Sequence, residues 1–404
     1  MPTTVCIHLL QDLPPANLNR DDNGTPKTAA YGGVDRLRVS SQAWKRATRK
    51  HFETSLSRSE VGVRTRRVHG LLASLLKERG SAPDVAAALA DGALSKVGIK
   101  DAKKTQDAKK KAGAKKDTVA EGPVLSEDKG DDDEGGEAKK DTVAEGPVLS
   151  SYLLFVGRSQ LEQLADELHS AEDPSVVPVA DILGSAHTLD VALFGRMVAD
   201  MTALNVDAAA QVAHALSTHA APTQFDYFTA VDDEQQADEA GAGMIGLVEF
   251  SSGTLYRYAA VSLDQLVANM GYSEAAVKGV GQFLRSFVEA LPTGKQNTFA
   301  DHTRPALVLV EVRTDHPVSL VSAFESPVRS QGSGFVAPSQ IALAAHHKAE
   351  WERWGDKPAL RIASYSATGA AEKALQGAYG ASVSVDHLVA RVEEVLTDQV
   401  RSSS

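Results

Sequence analysis

Between Val34 and Lys50 the chain changes its hydrophobic period within two residues. Arg36-Leu37-Arg38-Val39 alternates charged and apolar residues, which suits a strand with both arginines on one face. Ser40 and Ser41 then offer N-cap side chains for a helix that follows at once. On that helix Lys45 and Arg49 are i,i+4 neighbours, as are Arg46 and Lys50, while Trp44 and Ala47 can face inward. Gly32-Gly33, just upstream, permits a sharp turn or a close backbone approach. The fold must therefore accommodate a strand that runs straight into a helix with a cationic outer face. Residues 16–50 hold eight basic residues against three acids, a local balance of +5 in a chain of net charge −11. A basic island in an acidic protein is a candidate polyanion site, and amides at a helix start favour phosphate. The plain alternative is a solvated basic helix after a hairpin.

The whole chain narrows the class. Its 404 residues suffice for one large domain with insertions or for two domains. No apolar run approaches the roughly 18–20 residues that span a bilayer, so no membrane partner is expected. The start, MPTTVCIHLLQDLPP, lacks the basic region and small-residue cleavage site of a signal peptide. The single cysteine, Cys6, allows no internal disulfide, lies in an apolar run and fits a reducing compartment. The expected location is cytoplasmic. Residues 101–150 collapse into Lys, Asp, Glu, Gly and Ala, and AKKDTVAEGPVLS at 114–126 recurs identically at 138–150. Two copies without a hydrophobic face cannot stack as a solenoid. This stretch is expected to be a disordered linker between helices; an acidic tether that mimics nucleic acid is the alternative.

Elsewhere the apolar run at 4–10 predicts a central strand, as does LVLVEV at 307–312. Leu71, Leu72, Leu75 and Leu76 form a helical stripe, and helices are expected at 86–93, 160–169, 207–218 and 273–291. TLDVALFGR at 188–196 reads as a strand. Ser251-Ser252-Gly253 reads as a hairpin turn between strands at 244–250 and 255–261. The tail from 340 reads as helical pieces, with Trp351 and Trp354 packing onto the body. This interleaving of strands and helices is compatible with an α+β, ferredoxin-like sheet.

Candidate catalytic groups do not assemble into a motif. His214 and His219 are i,i+5 and diverge on a helix, His346-His347 point apart, and neither Cys-x-x-Cys nor His-Glu-x-x-His occurs. No metal or cofactor is expected. Gly241-x-Gly243-x-x-Gly246 matches a dinucleotide fingerprint by letter but opens a hairpin rather than a helix. Its glycines flank Met244 and Ile245, which would stand exposed near a hairpin tip. His8 or Lys45 could be imagined serving a ribonuclease, yet no acid–base pair can be read from spacing.

Three segments carry a family resemblance. The first comprises Asn17-Leu18-Asn19-Arg20-Asp21-Asp22, Gly32-Gly33, Arg38-Val39-Ser40-Ser41-Gln42 and Lys45-Arg46-Ala47. The others are Phe228-Thr229-Ala230-Val231-Asp232-Asp233 and Glu249-Phe250-Ser251-Ser252-Gly253 running on to Tyr256-Arg257-Tyr258. Together they resemble the CasC family, the backbone subunit of the type I-E CRISPR Cascade complex. The resemblance implies a ferredoxin-like, RRM-like palm (1–55 and 183–340), helical fingers (56–182) and a thumb hairpin (222–262), before a C-terminal helical segment (341–404). It implies a non-catalytic protein that polymerises along crRNA beside other Cascade subunits and meets target DNA through the guide. Arg20, Lys27, Ser40, Gln42, Lys45 and Arg49 match the family's RNA-binding motif, with Arg49 in place of a common lysine. Arg196-Met197 resembles its Gly-Arg-Met turn against displaced bases, and Met244 and Ile245 would be the base wedge. Arg329 matches a basic position that could touch nucleic acid, whereas Gln331 stands where a second lysine is often found. The rival is a guide-RNA-processing endoribonuclease on the same fold.

Overall fold

The computed structural model describes residues 2–100, 149–150, 152–198, 201–230, 244–330, 332 and 334–403. Most of the 101–150 stretch, the tip glycines Gly241 and Gly243, and Gln331 lie outside the described residues. The chain runs β1 (Thr4–Ala16), β2 (Thr28–Tyr31), β3 (Val34–Val39), α1 (Ser41–Phe52), β4 (Gly62–Thr65), α2 (Val68–Glu78) and α3 (Pro83–Lys96). It continues with β5 (Leu154–Gly157), α4 (Arg158–Ser170), α5 (Val179–Gly184), α6 (Leu189–Phe194), β6 (Ala210–Val212), β7 (Ala215–Ser217), β8 (Gln224–Ala230) and β9 (Met244–Ser262). Then come α7 (Leu263–Met270), α8 (Ser273–Glu289), α9 (Gln296–Phe299), β10 (Pro305–Arg313), α10 (Val336–Trp354), β11 (Leu360–Tyr365), α11 (Gly369–Tyr379) and α12 (Val385–Ser403). The architecture is α+β. Two compact units emerge, one of residues 1–61, 186–196 and 206–404, the other of 62–185 and 197–205.

The larger unit is built on a sheet of order β11-β10-β1-β9-β7-β3-β2, with β6 and β8 also paired to β9. The pairings of β1 with β9 and β10, and of β10 with β11, are antiparallel. β1 is buried almost throughout because both of its faces are covered. Val5, Ile7 and Leu9 join Trp44 and Phe52 of α1, Phe283 and Phe287 of α8 and Leu388 of α12 in one core. Cys6 and Leu10 join Tyr256, Tyr258, Leu309, Phe324, Leu343 and Leu375 in the core of the other face. The smaller unit has its own core, where Leu72 and Leu76 of α2 meet Ala90 and Leu94 of α3 and Leu161 and Leu164 of α4.

Four expectations are corrected. Residues 188–196 are not a strand: Leu189–Phe194 forms α6, in which the Ala192 N–H reaches Thr188 O at 2.9 Å and Leu189, Ala192 and Leu193, at i, i+3 and i+4 spacing, enter the core. The alanine-rich 207–218 segment forms β6 and β7 rather than a helix, because it pairs with β9 at Ala210–Val261 and Leu216–Tyr256. Alanine's helix preference is only tenths of a kcal/mol per residue over most alternatives, about what one cross-strand contact returns. No turn occurs at Ser251-Ser252-Gly253, since β9 runs unbroken over 19 residues. There the register against β1 shifts between Leu13 and Ala16, and a Cβ on Gly253 would sit 2.7 Å from the His219 ring. The glycine marks an irregularity and a close approach rather than a reversal. In the tail, Trp351 packs under Arg361 at 3.9 Å, whereas Trp354 is 67% exposed.

Candidate nucleic-acid interface

The basic island folds as a hairpin, a strapped loop and a helix. Gly32 and Gly33 have φ of +61° and +77° and join β2 to β3 in the tight reversal that favours glycine. A Cβ on Gly32 would fall 1.7 Å from the Glu325 carbonyl oxygen, so only glycine fits. Arg36, expected on the same open face as Arg38, is instead fully buried. Its guanidinium donates to the carbonyls of Tyr31 (3.0 Å), Ser217 (3.0 Å), Phe324 (2.9 Å) and Glu325 (3.3 Å). It is thereby a structural clamp, and burial lowers its pKa.

The loop before β2 is tied to the start of α1. Lys27 donates its N–H to Asn19 O at 2.9 Å, and Arg38 donates its N–H to Lys27 O at 2.9 Å. Asn19 Oδ1 in turn accepts the Ser40 N–H at 2.8 Å. Asp21 Oδ1 accepts the amides of Asn23 and Thr25 and tightens the loop that carries Arg20. These bonds gather the backbone of Arg20, Lys27, Arg38 and Ser40 at one edge of the sheet. The Asn19 strap was not legible as such, although Asn19 lies inside the motif.

Helix α1 presents the rest. Ser40 Oγ caps it by accepting the Ala43 N–H at 3.2 Å. Trp44, Thr48 and Phe52 are buried at i,i+4 spacing, and Ala47 is half-buried. The opposite side carries exposed Gln42, half-buried Lys45 and Arg49, and exposed Arg46 and Lys50. Arg257 of β9 lies over Trp44 at 3.7 Å and over Phe287 at 4.6 Å, and Arg257 Nη1 donates to Gln11 Oε1 at 2.6 Å. The arginine thus braces α1 from below, and burial lowers its pKa to about 9. Lys45 Nζ lies 5.9 Å above the Phe194 ring. Burial lowers its pKa, and among the described residues no carboxylate offsets the effect. A half-buried ammonium without an acidic partner suits an external anion.

The remaining candidates fall elsewhere. Arg196 is 5% exposed, and burial lowers its pKa to about 10. Its backbone bridges Val206 in both directions, next to Gly195, whose φ of +75° and 2.7 Å Cβ approach to Val206 O require glycine. Met197 is 85% exposed. Ile245 is 58% exposed on β9, opposite Thr229 of β8. The Met244 backbone opens that strand, while its side chain lies outside the described residues. The ribbon of β8 and β9 keeps Phe225, Tyr227 and Leu247 exposed on the same face as Ile245. On its other face the Phe228 ring lies where a Gly246 Cβ would be, 2.3 Å away. Arg329 is exposed in a segment anchored by the Val328 N–H to Thr218 O at 3.0 Å.

His8 is fully buried, with Nδ1 2.9 Å from Tyr256 Oη, and burial depresses its pKa to about 3. Among the described residues no cluster of three or more His, Cys, Asp or Glu is arranged to hold a metal ion, and no helix is long and apolar enough to cross a membrane.

Two solved structures resemble this chain along nearly its whole length. A chain titled "CRISPR RNA-guided surveillance complex, pre-nicking" is 33% identical, with a TM-score of 0.75 over 96% of this chain and 100% of that one. Another, titled "CRISPR RNA-guided surveillance complex", is 28% identical, with a TM-score of 0.65 over 96% and 99% of the two chains. A comparison with curated proteins found no match. Because the family model described as "CT1975-like protein" matches residues 5–391, the chain belongs to the CT1975-like protein family.

Proposed function

We propose that this chain is a crRNA-binding subunit of a Cascade-like CRISPR surveillance complex, and more narrowly the backbone subunit of the type I-E form. In this reading the larger unit is an RRM-like palm and the smaller the fingers, while β8 and β9 form the thumb. Copies of the chain line up along the guide, next to other subunits, and leave its bases free to pair with target DNA. The protein acts without catalysis, in the cytoplasm.

The observation that carries this reading is the strapped cationic edge at Arg20, Lys27, Ser40, Gln42, Lys45 and Arg49. It sets cationic side chains beside the polar Ser40 and Gln42, a composition that suits the phosphate backbone of any guide sequence. Specificity then rests on base pairing. The burial of His8 weighs against the endoribonuclease alternative, because a proton-transfer group must reach the scissile 2′-OH.

The test is to measure binding of single-stranded RNA as salt is varied, with Lys45→Gln and Arg49→Gln compared with the parent protein. Each lost cation should reduce the log–log salt slope by about 0.7. Bound RNA should be recovered intact. An unchanged slope in folded variants, or RNA with newly cut ends, would defeat the proposal.

A further inference from the structure

His214 occupies the short link between β6 and β7, where the neighbouring Ala213 N–H bonds Tyr258 O at 2.9 Å. The link is therefore held by the central sheet. The imidazole itself is exposed, and its Nδ1 lies 3.2 Å from the Ser41 backbone nitrogen and 3.5 Å from Arg38 Nη1. Both of these neighbours are obligate donors. An imidazole nitrogen that accepts carries no proton, so the ring proton resides on Nε2. Protonating Nδ1 would break the bond to Ser41 and set a cation against Arg38. Arg38 of β3 and the Ser41 amide of α1 are the groups that face the ring. Partial desolvation by the sheet edge and, secondarily, the Arg38 charge lower its pKa, which favours the neutral ring that the two donors require.

We infer that His214 is a further RNA-backbone contact at this edge, in which a neutral imidazole locked by Ser41 and Arg38 donates its Nε2–H to a phosphate oxygen. This inference rests on the RNA-binding reading above. It differs from the lysine and arginine contacts in one measurable respect. A neutral donor adds affinity but releases no counterion, so it leaves the salt slope unchanged.

His214→Asn retains an acceptor near the Nδ1 position and loses the outward donor, whereas His214→Gln places an amide donor near Nε2. With the full chain and a single-stranded RNA oligonucleotide, His214→Asn should weaken binding about fivefold, the size of one neutral hydrogen bond. The loss should be the same at pH 8.5 and pH 7.5, both above the ordinary imidazole range, with the salt slope and the melting midpoint unchanged. His214→Gln should recover part of it. Nitrogen NMR of the parent protein should report an Nε2-protonated imidazole whose Nε2–H shifts on RNA addition, a readout that stands even if a variant misfolds. Unaltered affinity in His214→Asn overturns the inference, and the RNA-binding reading survives if Lys45→Gln still lowers affinity and slope. A loss that grows between pH 8.5 and pH 7.5, or one that tracks a lowered melting midpoint, overturns it as well. A parent protein that retains no RNA removes the functional reading itself.

Discussion

At the scale of single residues, identity alone is a poor guide to exposure. Arg36 and Arg38 are two positions apart on one strand face, yet one is a buried clamp and the other lies beside His214. Arg36→Met should leave several buried carbonyls without a donor and cost about 2–4 kcal/mol in urea unfolding, with most of the loss remaining in Arg36→Lys. The buried titratable groups set the response to acid. Burial holds the His8 pKa at about 3 rather than 6.5, so between those values the unfolded chain binds a proton that the native chain does not. The stability that depends on neutral His8 is therefore fully present above pH 6.5 and is lost as the pH drops toward 3. Burial alone would raise Glu311, but His347 at 3.3 Å and Arg361 at 2.7 Å outweigh it and hold its pKa at about 2. That group adds a second loss below the ordinary carboxylate range. Replacing His8 with Gln should remove up to about 2 kcal/mol of the stability difference between pH 7.5 and pH 5. Urea titrations at the two pH values measure it.

At the scale of elements, helix α1 divides its labour between two sides. Trp44, Thr48 and Phe52 fasten it to the core, and in the proposed function the Lys45–Arg49 edge contacts the RNA. Reversing both cations to Glu should leave far-ultraviolet circular dichroism unchanged and abolish RNA retention. Because Lys45 is half-buried above Phe194, the double variant should also lose about 1 kcal/mol, the value of a partly desolvated cation–π contact. The ribbon of β8 and β9 shows the same division. Gly246 accommodates the Phe228 ring, and Gly246→Ala should cost about 1–3 kcal/mol by displacing it. Tyr227 and Leu247 pair across the exposed face, so Tyr227→Ser with Leu247→Ser should change stability by only about 0.5 kcal/mol. In the proposed function this open apolar face packs against the neighbouring copy along the guide. The double variant should therefore shorten RNA-templated assemblies in sedimentation analysis; assemblies of unchanged length would exclude that role.

At the scale of the whole molecule, the chain holds separate hydrophobic cores in two units. Leu72 is fully buried in the smaller one. Leu72→Ala should destabilise that unit by about 2–5 kcal/mol through the cavity it leaves. The cationic edge belongs to the larger unit, so RNA affinity at 20 °C should stay within about twofold, a limit set by the near-additivity of distant sites. Calorimetry and binding on the same sample compare the two effects.

The sequence by itself determined the features that depend on neighbours along the chain. Apolar runs marked β1 and β10, and the change of period at Ser40 marked the passage from β3 to α1. The leucine stripe at 71, 72, 75 and 76 marked α2, and the spacing of Lys45 and Arg49 put them on one helical edge. Tertiary structure alone decided what depends on partners far along the chain. Residues 210–217 became strands because β9 offers its ladder. Ser251-Ser252-Gly253 stayed extended because β1 holds it and His219 fills the space beside Gly253. Arg36 turned inward because carbonyls from residues 217, 324 and 325 converge on it, and His214 met α1 because the sheet carries the 213–214 link beside Ser41. Local preferences amount to tenths of a kcal/mol per residue, whereas a ladder or a satisfied buried guanidinium amounts to several, so where the two conflict the distant partner prevails.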